Sequence, residues 1–168
     1  LEDRICPLAL VFPALAGTEL DKVLTDKPES LLAWCRQASE LLFALHNKKI
    51  VHGLVNPSAF VVVGEDLYLV GLGYGPLLAD AGRELPATLQ PYVAPEMRRQ
   101  TTLSPSMDVF AFAQTVAKWC PTLLDTEWYR KGTHPDPDQR FRRMREMFEE
   151  LKKTLPPPGE KPRGTIVP

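Results

Sequence analysis

Charge imbalance is what this sequence has least of. Its 168 residues hold 20 Lys and Arg against 21 Asp and Glu, a formal net charge of −1. The whole-chain field that draws proteins to nucleic acid or to an anionic membrane is therefore missing, and no nucleic-acid partner is expected. Cysteine is sparse as well. Cys6, Cys35 and Cys120 are odd in number, far apart and set among apolar neighbours, the usual setting of buried free thiols rather than of a disulfide framework. A reducing, cytoplasmic compartment suits them. No apolar run reaches 18 residues and no signal-peptide pattern is present, so no membrane insertion is expected within this chain. His46, His52 and His134 do not fall at metal-motif spacing with one another or with the cysteines. Neither a metal nor another cofactor is expected.

What is present is enough chain for one domain with a real core. Proline is plentiful, at 17 residues, and crowds into "LPPPGEKPRGTIVP" at the end. Residues 1–155 are read as one domain and 156–168 as a Pro-rich linker or tail. "PLALVFPAL" (7–15) is an apolar run with Pro at Pro7 and Pro13, which favours a strand. From Pro28 to His46, apolar residues recur at Leu31, Cys35, Ala38, Leu42 and Leu45, the spacing of an amphipathic helix. "AFVVV" and "LYLVGLG" around Gly64, Glu65 and Asp66 read as a hairpin. Residues 73–106 read mostly as loop. "DVFAFAQTVAKWC" from Asp108 is apolar on nearly every face, as a buried helix is. A last helix is read from "DPDQRFRRMREMFEELKKTL", with Asp136 and Asp138 at its start, lysines at its end and Met144, Phe148, Leu151 and Leu155 as its stripe.

Five short stretches stand in a telling order: "HGLVNPSA" from His52, "GLG" from Gly71, "YVAPE" ending at Glu96, "DVFAFA" opening at Asp108, and "DPDQRF" holding Arg140. In order and spacing they resemble the larger, mostly helical lobe of protein kinases, with its HRDxxxxN, DFG, APE, DVWSFG and DPxxRP signatures. The resemblance covers roughly residues 8–155. It implies a mainly α (α+β) fold, a kinase-like large lobe with a short β-hairpin, the small lobe absent or highly reduced. No Gly-rich loop, VAIK lysine or αC glutamate is found. The interval from Glu96 to Arg140 is shorter than in ordinary kinases, and the helix that normally fills it is expected to be mostly lost.

The departures matter as much as the matches. Leu54 stands where kinases have the catalytic Asp, Ala59 where they have the magnesium-holding Asn, and Gly71 where they have the DFG Asp. The resemblance assigns structural roles to the rest: His52 packing in the core with Leu72 continuing its apolar stack, Asp108 accepting from the backbone at His52 and Gly53, and Glu96 pairing with Arg140. No Asp, Glu or Ser lies at triad spacing from His52 to make it a general base. "GLGYG" (71–75) lacks GxGxxG spacing and a following helix start, so it reads as a turn rather than a phosphate cradle.

The expectation is a catalytically inactive, pseudokinase-like domain, not an enzyme, that binds or scaffolds protein partners. The face near Leu10, Phe12 and Leu54, which the small lobe covers in whole kinases, is the expected partner surface. Another protein, a second copy of the chain or its own tail are the candidates to cover it. Two alternatives stand beside this reading. One is an atypical phosphotransferase that recruits Glu65 or Asp66 as metal ligands or is completed by a segment outside the chain. The other is an unrelated helical adaptor whose motifs are coincidence.

Overall fold

The computed structural model describes residues 16–72, 86–98 and 102–155. The expected strand at 7–15, with Leu10 and Phe12, and the tail at 156–168 lie outside the described residues. The fold is mainly helical with one small sheet, arranged as β1 (Thr18–Glu19), α1 (Leu20–Asp26), α2 (Leu31–Asn47), β2 (Phe60–Val63), β3 (Asp66–Leu69), α3 (Pro105–Trp119), α4 (Glu127–Gly132) and α5 (Met144–Thr154). Short 3-10 turns link these elements. Pro28, Pro57, Pro95, Pro121 and Pro137 each open one, and Pro105 opens α3, because a residue with fixed φ and no N–H suits a first helical position. Many of the prolines thus mark starts.

The sheet is antiparallel in the order β1-β2-β3, with Phe60 opposite Leu69 and Val63 opposite Asp66. Its hairpin turns at Gly64, φ 63, followed by Glu65 at negative φ, the pattern of a type II′ turn that matches strand twist.

Helix α2 buries Cys35, Ala38, Ser39 and Leu42. It ends with the Ile50 N–H on the Leu45 carbonyl and the Lys49 N–H on that of His46, both 3.0 Å. This is a Schellman closure. Lys49 takes the left-handed position, φ 63, alone among described non-glycine residues.

Helix α3 is the centre of the domain. Val109, Ala111, Phe112, Ala113 and Val116 are all nearly or fully buried, and the Phe112 ring meets Phe60 of β2 edge-on at 6.3 Å. It begins at Pro105, three residues before the expected Asp108.

Two expectations need correction. Helix α4 was not foreseen in the interval where a helix was thought mostly lost. It is six residues long, capped by the Thr126 hydroxyl, which accepts from Tyr129 N at 3.2 Å. It is held by Trp128, whose indole donates to the Met147 carbonyl at 2.8 Å. Gly132 lets it approach α3, since a Cβ there would sit 2.7 Å from that of Ala113. The last helix starts at Met144, not near Asp136. Asp136 and Asp138 belong to the separate turn Pro137–Gln139, where the Asp136 carboxylate accepts from Asp138 N at 3.0 Å. Arg140 is extended, φ −79 and ψ 175, which lets its side chain point inward. The buried stripe of α5 is Met144, Met147, Phe148 and Leu151, with Leu155 half-buried beyond it.

Candidate functional site

The loop from His52 to Ala59 connects α2 to β2, and α3 fixes it from below. Asp108, fully buried, accepts three hydrogen bonds: from His52 N at 2.9 Å, from Gly53 N at 2.8 Å and from His46 Nε2 at 2.8 Å. A buried carboxylate needs such donors, because without them its desolvation is not repaid. Gly53 takes φ 76, a backbone shape that side chains resist and glycine accepts.

The His52 ring, 1 % exposed, donates from Nε2 to the Val70 carbonyl at 2.9 Å and accepts at Nδ1 from Leu54 N at 3.3 Å. That pattern is the neutral ring protonated on Nε2. Val70 N in turn donates to the Ala59 carbonyl at 2.8 Å. His52, Ala59 and Gly71 therefore gather around Val70. Asn56 stabilises the same loop, its amide donating to the Leu54 carbonyl at 2.8 Å and accepting from Ser58 N at 3.0 Å.

The side chains of Leu54 and Ala59 offer no oxygen or nitrogen, and Gly71 has none to offer. Leu54 is buried with Val93, Ala94, Met97, Met107 and Phe110 in a second apolar cluster apart from the main core. Ala59 is 4 % exposed, and Gly71 adopts φ 81. The expectation that Leu54 lies on an open partner face is thereby corrected: at 6 % exposure it is an interior residue, covered by the segment around Val93 and Ala94. Leu72 is corrected too. It is 36 % exposed, so it does not continue a buried apolar stack on His52.

Glu96 and Arg140 form a bidentate pair at 2.7 and 2.8 Å. Arg140 further donates to the carbonyls of His134 at 2.7 Å and Ser106 at 3.0 Å, and its guanidinium lies 5.0 Å from the Phe110 ring. The pair ties the turn at Pro95–Arg98 to the start of α3 and to the approach to α5.

His46 and Asn56 are structural members of this site that the motif comparison passed over. His46 carried a signal nonetheless, as it closes an amphipathic helix six residues before His52.

Glu65 and Asp66, the acids considered as substitute metal ligands, sit at the turn end of the hairpin, whereas Ala59 and Gly71 flank its other end. Four residues of strand, about 13 Å, separate the two ends, and this recruitment is not supported. Among the described residues, no group of three or more His, Cys, Asp or Glu is placed to hold a metal. No described helix is long and apolar enough to cross a membrane.

The overall fold is similar to that of solved kinase domains. Two crystal structures of the Mycobacterium tuberculosis PknI kinase domain superpose with TM-scores of 0.65 and 0.64 at 19 % and 18 % identity, covering 84 % and 83 % of this chain. The chain has a protein kinase-like fold. It spans 63 % of the length of each of those kinase domains. No protein-family model matches the sequence, and no curated protein does. The kinase-like fold and the buried Asp108 contact overturn the coincidence reading of the motifs.

Proposed function

We propose that this kinase-like lobe is catalytically inactive and works by binding another protein. The observation that carries the reading is the fate of Leu54: the position that corresponds to the catalytic base holds an alkyl side chain shut inside an apolar cluster. Phosphoryl transfer needs metal held by carboxylate or amide ligands and a carboxylate to orient the attacking hydroxyl. Ala59 and Gly71 offer neither ligand. Removal of a general base alone lowers a rate by about 10²–10⁴, and the missing ligands forfeit charge neutralisation as well. The polar residues around the loop are engaged in holding backbone: Asp108, His46, His52 and Asn56 all do so directly or through one another. A near-neutral chain with free thiols suits a protein partner in a reducing, cytoplasmic setting.

The test is thermal unfolding of the intact chain with and without Mg-ATP, alongside capture of partners by the same protein. No metal-dependent shift is expected. A rise of several degrees with ATP that disappears when magnesium is chelated would sink the inactive reading.

A further inference from the structure

We draw no further inference here: the strongest candidate, the open groove between α1, α2 and the β2–β3 turn where Val23, Lys27, Trp34, Val62 and Glu65 meet, carries nothing, because nothing in the structure shows what covers it.

Discussion

Arg140 and Glu96, 44 residues apart in sequence, meet as a buried two-pronged ion pair with both contacts under 3 Å. Every other described bond of the Arg140 guanidinium goes to a backbone carbonyl, so the pair organises chain rather than chemistry. Arg140→Ala strands the Glu96 carboxylate and should lower stability by on the order of 3–5 kcal/mol. Arg140→Lys should also lose stability, since one ammonium cannot reproduce the fork. Denaturant midpoints of the two variants check this, and a wild-type midpoint for either would rule out the role.

Asp108 and His46 should be energetically coupled. Asp108→Ala leaves three donors without their acceptor, at roughly 1–3 kcal/mol for a buried unsatisfied group. His46→Ala removes only one of those bonds. The double variant should therefore lose less than the sum of the singles, with a coupling of about 0.5–3 kcal/mol. Additive losses in urea melts would show that the 2.8 Å contact between them contributes nothing.

Gly53→Arg restores the kinase residue of the HRD motif, yet it should destabilise. Gly53 sits at φ 76, and a side chain in the left-handed region costs about 1–2 kcal/mol. Gly53→Ala isolates that backbone effect from the charge. Equal melting of Gly53→Ala and wild type would show that the loop relaxes away from this conformation.

Much of this architecture was legible in the sequence, and what was hidden has physical reasons. The α2 stripe and the β2–β3 hairpin announce themselves by period, because each buries one face. Asp108 and the Glu96–Arg140 pair were legible through motif order. Helix α4 was not: six residues span less than two turns, too few for a period to show, and its stability comes from Trp128 and Gly132 meeting other elements. The start of α5 was misread because Asp136 and Pro137 are helix-start signals that here cap a 3-10 turn. Leu54 and Leu72 exchanged roles relative to expectation: Leu54 is covered by Val93, Ala94, Met97, Met107 and Phe110, contacts distant in sequence that no local pattern encodes, while Leu72 is exposed.

Cys35 should make the fold sensitive to alkali. Burial pushes its thiol up from the ordinary range, and the nearby Cys120 adds to the shift. The folded chain therefore keeps the proton while the unfolded chain releases it above about pH 8.5. With the folded value raised, stability is fully present below that pH and falls as pH rises, by up to roughly 1.4 kcal/mol per unit from this group. Cys35→Ala lowers stability overall but should flatten the decline between about pH 8.5 and 10. An unchanged slope in melts across that range would assign the loss to other groups.

Leu54→Asp reinstates the residue that kinases use as catalytic base, and it should produce instability rather than activity. The side chain would enter the cluster of Val93, Ala94, Met97, Met107 and Phe110, losing the leucine's packing at about 2–5 kcal/mol for a large-to-small core change. A carboxyl there is also desolvated, which raises its folded pKa above the unfolded value of about 3.9. Its penalty is then smallest at low pH and grows as pH rises toward neutrality, so the stability gap to wild type should widen between about pH 4 and 7. Leu54→Asn carries a polar group of similar size without the titration and should show a gap that pH does not move. If Leu54→Asp instead melts like wild type at neutral pH, the side chain has reached solvent, and the closed catalytic-base position on which the inactive reading rests is wrong.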